Sequence, residues 1–410
     1  MTYTNVTHES YGSRIKSSIA YAFFGFFLFI GSFFLLSWNE GRTIKTTIDL
    51  DYARENYVAV DSKSIDTNNE GKIIYLSGKP DNDTILSDSI FNLSVNAIRL
   101  KRVVEMYQWV EEAKSKTREK MGGEKETITT YTYIKQWRVG RVESEDFQQP
   151  KKYANPYQPF NNESYQSNNV YLGKYILSEA FIKKMSFYTD LPLSNSVLYR
   201  NNKSNIVTDK NNGEINKNTD MSLMDEYSIE GNYIYKGDNI STPNIGDIRV
   251  SFKIVKPKNI TIIGQQNKNN ILPYQASYIN ISFLQEGLLS AEELFRIEKD
   301  ENIQLSWLIR LGGIVLIFVS LKCIISPIRT LFVFVPFIAN IFGFLSGLIL
   351  FIISLILGLT TILIAWFAYR PLLSLIIALI SLALFFVLIP IIKAKRKKLA
   401  AIPETNNNNI

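Results

Sequence analysis

No residue between Leu331 and Tyr369 carries a charge. At about 1.5 Å of rise per helical residue, roughly 20 apolar residues cross the hydrocarbon core of a bilayer. This run is nearly twice that length, so part of it has to lie along the membrane or inside protein. A second uncharged run, Pro371 to Ile392, follows directly across Tyr369-Arg370. The two runs predict a helical hairpin in lipid with a very short turn. The end of the chain is therefore a membrane domain, and everything before it is oriented against that domain.

The charge pattern agrees. The 410-residue chain carries a formal net charge of +7, much of it in Lys393, Lys395, Arg396, Lys397 and Lys398 just after the last apolar run. A basic cluster there reads as a topology signal and as a contact for anionic lipid head groups. Nucleic acid is not an expected partner, because the other basic residues are interspersed with acids.

One cysteine, Cys323, and one histidine, His8, make up the whole supply of those residue types. No disulfide forms within the chain, and a Cys/His metal site, a Cys–His pair and a Ser–His–Asp triad are excluded within one domain. No G-x-x-x-x-G-K, H-E-x-x-H or G-x-S-x-G motif occurs. Carboxylates such as Glu143, Glu145 and Asp146 cluster, yet their spacing selects no acid–base pair. The reading is non-enzymatic, with no cofactor and no metal. Charges sit only towards the ends of the spans, which disfavours a transporter or channel.

In chain order, residues 1–16 read as a cytoplasmic tail and residues 17–38 as the first transmembrane helix, about 33 Å long. A cleavable signal peptide competes, but Phe33-Phe-Leu-Leu-Ser-Trp38 replaces the small residues of a cleavage site. Residues 39–304 form a polar α+β domain without a spanning run. Strands are predicted at 101–110 and 131–139, joined as a long hairpin whose Gly122-Gly123 tip reaches into solvent, and at 72–77, 247–255 and 259–265. Helices are predicted at 178–186 and after the capping box Ser290-Ala-Glu-Glu293. Residues 201–220 are an Asn-rich loop.

The second transmembrane helix is assigned to 305–325, an interfacial segment containing Pro336 to 326–341, the third helix to 342–368 and the fourth to 371–392. Residues 393–410 form a basic cytoplasmic tail. With the basic flanks inside, the fold class is a multi-pass α-helical membrane protein of four transmembrane helices, both ends cytoplasmic. One large strand-rich α+β domain lies in the lumen or periplasm.

Several features point to contacts. Gly343 and Gly347 form a G-x-x-x-G that lets helix backbones approach, between copies or within the hairpin. Arg99, Lys101 and Arg102 with Tyr107, Trp109 and Trp137 make a candidate interaction face. The alternatives are a solvated strand edge for the basic residues and a sheet core for the aromatic ones. Asn39-Glu-Gly-Arg42 and Asn69-Glu-Gly-Lys72 repeat a phrase, read as two turns in preference to an internal duplication.

Asn39-Glu-Gly-Arg42 also resembles the start of the transmembrane protein 43 (LUMA) family. So do Arg99-Leu-Lys-Arg-Val-Val-Glu-Met-Tyr-Gln-Trp-Val-Glu111, Trp137-Arg138 and Asn244-Ile-Gly-Asp-Ile-Arg-Val-Ser-Phe252. Ile260-Thr-Ile-Ile263, Leu272-Pro273, Ser290-Ala-Glu-Glu-Leu-Phe295 and Tyr369-Arg-Pro371 continue the resemblance in order, so that it extends from about residue 17 to 398. It implies four spans, a large luminal domain and a self-associating scaffold that organises other membrane proteins. Animal members imply the endoplasmic reticulum and inner nuclear membrane, with lamin- and emerin-type partners. The Asn/Lys/Ile bias also suits a bacterial member, whose equivalent is the inner membrane. The alternative function is an extracytoplasmic ligand sensor signalling through the helices.

Overall fold

A computed structural model describes residues 2–91, 93–120, 122–193, 227–331 and 336–369, and 371, 372, 375, 376, 379 and 380, with 336–346 described through their backbone alone. The expected Asn-rich loop, the basic tail and nearly all of the fourth span lie outside the described residues. The chain divides into two compact units, one of Met1–Glu9, Ile48–Lys120 and Glu124–Asp300, the other of Ser10–Thr47, Met121–Gly123 and Glu301–Ile410.

The first unit is built on one antiparallel sheet and one mixed sheet. The first runs in the order β1 (Thr2–Glu9), β8 (Lys125–Val139), β7 (Arg99–Glu119), β15 (Ile248–Val255), β14 (Tyr233–Lys236) and β13 (Ser228–Glu230). Strands β9 (Glu163–Gln166) and β12 (Thr189–Asp190) add to β7 and β15. The second runs β2 (Val58–Ala59), β3 (Ile73–Gly78), β16 (Ile260–Asn267), β17 (Asn270–Leu272), β11 (Tyr175–Leu177), β10 (Val170–Leu172) and β4 (Asp81–Asn82). There β20 (Phe283–Glu286) pairs with β16. Two small hairpins, β5–β6 (Ile85–Asp88, Leu93–Asn96) and β18–β19 (Tyr274–Gln275, Asn280–Ile281), complete the strands named here.

Alternation decides which face is inside. On β7, Leu100, Val104 and Met106 are buried against Val250, Phe252 and Ile254 of β15 and against Leu86, Phe91 and Leu93 of the small hairpin. The second sheet packs Ile74, Leu76, Ile260 and Ile262 on the short helix α2 (Glu179–Lys184), through Phe181 and Ile182. A third cluster joins Leu50 and Ala53 to Ile263, Phe283, Leu294 and Phe295. The strands expected at 72–77, 247–255 and 259–265 are β3, β15 and β16.

The second unit holds long helices. Helix α1 is Tyr11–Asn56, α3 is Ala291–Leu331 and α4 is Pro336–Tyr369. Three stretches are long and apolar enough to cross a membrane, within α1, within α3 and over Gly347–Tyr369. Phe23, Phe24, Phe27 and Phe34 of α1 are exposed, which suits lipid as their solvent. The capping box at the start of α3 forms: Glu293 N donates to Ser290 Oγ (3.2 Å) and Ser290 N donates to Glu293 Oε2 (2.8 Å).

Four expectations are corrected. The first helix is not confined to 17–38 but is continuous over 46 residues, about 69 Å. The interfacial segment 326–341 is not separate. Helix α3 continues through Pro327 to Leu331, and Pro336 opens α4, where a residue without an N–H costs nothing. The tail 1–16 is β1 followed by the start of α1. Its eight residues pair with Lys125–Thr132, and hydrogen-bonded strands lie at one level. The hairpin tip is not a free solvated turn, because Arg14 Nη1 donates to Gly123 O (2.7 Å) and a Cβ on Gly123 would meet the Tyr11 ring at 2.6 Å.

Candidate functional site

The densest polar arrangement in the helical unit is built on Asn39-Glu-Gly-Arg42, where the apolar stretch of α1 ends. These residues are helical, not a turn. Gly41 is needed for a close approach, since a Cβ there would stand 2.8 Å from the Tyr369 ring. The second phrase, at Asn69–Lys72, does contain the expected turn, with Gly71 at φ 76°.

Three helices meet at Glu40. Its side chain is buried, and Arg310 of α3 grips it bidentately, Nε to Oε1 and Nη2 to Oε2, both at 2.7 Å. Trp366 of α4 donates its indole N–H to Oε2 at 2.7 Å. The Arg310 guanidinium lies over the rings of Trp307 (4.7 Å) and Trp366 (5.7 Å). Both charges are thus paired and hydrogen-bonded, the condition under which burial is tolerated.

One turn along, Asn39 Nδ2 donates to Ser306 O and Oγ at 3.2 Å. Arg42 Nη1 donates to Asn302 Oδ1 (2.9 Å), and Asn302 Nδ2 donates to Thr43 O (3.0 Å). Asn39, Thr43, Asn302 and Ser306 are buried. Arg42 Nε is buried without a hydrogen-bond partner.

Below this hub the helices touch through small residues. A Cβ on Gly25 would fall 2.8 Å from Ser320 O, one on Gly313 2.4 Å from Leu36, and one on Gly358 2.6 Å from Ile314. By contrast, among the described residues nothing lies within 4 Å of a Cβ on Gly347. Gly343 belongs to the backbone-only part of α4. The close packing among the described residues runs through Gly25, Gly313 and Gly358.

The expected face on the strand domain is divided. Arg102 is buried rather than at a solvated edge: Nη1 holds Asp88 Oδ2 at 2.5 Å, Nε donates to Asn161 O at 2.9 Å, and the guanidinium lies over Phe91 at 5.7 Å. Asp88 also accepts from the N–H groups of Ile90 (3.1 Å) and Phe91 (3.2 Å). Beside it, burial and then the Asp88 charge raise the Tyr165 pKa. Arg99 points elsewhere, donating to Lys183 O and Met185 O at 3.0 and 3.2 Å beneath Tyr188. Lys101 is exposed.

The aromatic residues do share a face. Tyr107 and Trp137 are cross-strand partners with ring centroids 5.4 Å apart, and Arg249 stacks on Trp137 at 4.5 Å while pairing with Glu105 at 2.7 Å. Trp109 meets Lys135 and Tyr153, and Tyr133 stacks on Tyr153 at 3.7 Å. Tyr133 donates to Glu111 at 2.7 Å. Burial first, then that carboxylate, raises its pKa, so the phenol stays protonated. This face is half-buried, and the aliphatic core lies on the other side of β7.

In the same unit a cleft of about 330 Å³ is lined by Asp51, Arg54, Glu292, Glu293, Arg296 and Lys299 with Leu50 and Phe295. Its charges are mixed. Among the described residues, no group of three or more His, Cys, Asp or Glu is arranged to hold a metal ion.

Sequence reasoning passed over Glu40, Asn302, Ser306, Arg310 and Trp366 as a site. The available signal was a Glu, an Arg and a Trp, each at the border of a different apolar run, where charge is costly unless paired.

Apolar helices of spanning length, joined by a buried Glu–Arg–Trp contact and combined with a strand-rich domain, define a multi-pass membrane protein. The family model for Transmembrane protein 43 matches residues 106–371, and the chain belongs to that family. It is 28% identical over 400 residues to Transmembrane protein 43 of Homo sapiens, covering 94% of this chain and 93% of that one. It is 27% identical over 375 residues to the Transmembrane protein 43 homolog of Drosophila melanogaster, covering 88% and 92%. No solved structure matches the chain.

Proposed function

We propose that this protein is a non-enzymatic, four-span membrane scaffold that self-associates and organises other membrane proteins. The observation that carries the reading is the use made of the buried charges. Glu40 and Arg310 neutralise one another and hold three helices together. A pathway for ions or protons would instead leave such groups facing a polar cavity. Among the described residues a Cβ on Gly347 would meet nothing within 4 Å, which supports the second element, since a small residue with space beside it suits contact with another helix, in this reading that of a second copy.

The half-exposed Tyr107, Trp109 and Trp137 form the surface for partner proteins, and Lys393, Lys395, Arg396, Lys397 and Lys398 hold the tail against anionic lipid. In a eukaryotic cell the site of action is the endoplasmic reticulum and inner nuclear membrane, with lamin- and emerin-type clients. In a bacterium it is the inner membrane.

Crosslinking in native membranes, followed by affinity purification and mass spectrometry, tests the scaffold. A reproducible set of other membrane proteins is expected, and Trp137→Ala reduces their recovery. Recovery of this chain alone refutes the organising role. Gly343→Leu with Gly347→Leu lowers the crosslinked size, and an unchanged size removes that helix face from the reading.

A further inference from the structure

The far half of the long hairpin forms a ribbon with strand β1, and its two edges are unlike. Each row of the ribbon joins one residue of β1, β8 and β7, from Thr2–Thr132–Glu112 to Glu9–Lys125–Glu119. That gives eight rows, about 26 Å of paired strand. The outer edge of β1 ends the sheet order. On β7, the partner strand β15 stops at Met106. Beyond it, Tyr107 exchanges backbone bonds with Gly246 and Asp247, and Asn155 takes both backbone groups of Trp109. From Glu112 to Glu119, no strand among the described residues pairs with that edge.

Exposed edges are normally guarded by Lys, Pro or a bulge. The β7 edge is guarded: Lys114, Lys116 and Arg118 project from one face, all exposed. The β1 edge, Thr-Tyr-Thr-Asn-Val-Thr-His-Glu, has no Lys, Arg or Pro. Two copies meeting antiparallel through β7 would set cation against cation in every two-fold register centred from Lys114 to Arg118, because the three basic side chains share a face. Meeting through β1 alone would leave both β7 edges open. An edge without Lys or Arg against a cationic edge avoids both faults, and it keeps all ribbons running the same way, since β1 and β7 are each antiparallel to β8.

We propose that copies of this chain join by adding β1 of one to the 112–119 edge of β7 of the next. This head-to-tail contact closes into a ring when the rotation permits. The proposal deepens the self-association reading and rests on it, but it assigns the contact to the strand ribbon in place of a helix face.

The test uses full-length protein in native membranes with Cys323→Ser as background. Copies carrying Asn5→Cys are co-expressed with copies carrying Ala113→Cys, Ser115→Cys or Thr117→Cys, and mild oxidation follows. Disulfide-linked pairs between unlike copies are expected at one of the three positions, with none between two Asn5→Cys copies. Val6→Lys, at an exposed position, faces the Lys114–Lys116 side and lowers linkage at least fivefold. Efficient closure of an internal Thr7→Cys/Thr127→Cys disulfide in the Val6→Lys chain shows that β1 remains paired with β8. Oligomers captured by an amine crosslinker without any linkage between unlike cysteine copies overturn the edge contact and leave self-association standing. Linkage between Asn5→Cys copies also overturns it. Absence of oligomers under both chemistries overturns both readings.

Discussion

Two buried arginine–carboxylate pairs, one in each unit, look alike and do different work. Arg102–Asp88 in the strand domain and Arg310–Glu40 in the helical unit each lay a guanidinium against an aromatic ring. Asp88 is held by the backbone N–H groups of its own turn, so the pair fastens one small hairpin to a sheet. Among the described residues, the Glu40 carboxylate is held by side chains from two other helices, so its pair fixes how three helices associate. An ion pair anchored in backbone stabilises locally. One anchored in remote side chains sets tertiary arrangement.

The comparison is broken most sharply at Glu40. Glu40→Ala strands Arg310 and frees the Trp366 indole, at a cost of about 3–5 kcal/mol. The detergent-solubilised protein is expected to lose its monodisperse elution peak at a lower temperature, and an unshifted profile would remove the hub's structural role. Replacing both charges, Glu40→Leu with Arg310→Met, restores most of the loss, because no buried charge is left unpaired.

Asp88→Asn is expected to cost about 3 kcal/mol, yet its mark stays local. Hydrogen exchange rises over β5 and β6 while the helices keep their protection. Exchange that rises equally in α1 and α3 would erase the distinction between the two pairs.

Gly25→Val probes the packing beneath the hub. Its Cβ would press on the Ser320 carbonyl, and overpacking of this kind costs about 1–3 kcal/mol. Gly347→Val, whose Cβ would meet nothing within 4 Å among the described residues, is expected to leave thermal stability unchanged. The smallest effect is at the capping box. Glu293 has a lowered pKa, first through the Ser290 backbone N–H and then through its hydroxyl. A depressed carboxylate gives stability that is present above the ordinary glutamate pKa of about 4.3 and lost as pH falls through the folded value. Exchange at the first turn of α3 should therefore quicken in acid, and Glu293→Gln should remove most of that dependence.

Much of the architecture was legible in the chain. Uncharged length marked the spans, enrichment in aromatic and β-branched residues marked β3, β7, β8, β15 and β16, and Ser290-x-x-Glu293 marked the start of α3. These signals are local, set by solvent, backbone geometry or a three-residue spacing. What failed depended on partners far away in sequence. Residues 2–9 carry no signal naming β8 as their neighbour. Arg102 reads as a surface base until Asp88 is brought beside it, and Gly41 reads as a turn until the Tyr369 ring requires the space.

The sequence by itself determined that this is a membrane protein with a strand-rich domain and without Cys/His chemistry, because hydrophobic length and residue supply need no fold to act. Only the tertiary structure decided that Glu40, Arg310 and Trp366 form one contact, that Arg102 is interior, and that β1 is the unguarded edge of a sheet. Each of these depends on which distant groups share a low-dielectric contact or a backbone ladder. That information lies in the packing of the elements, not in any one of them.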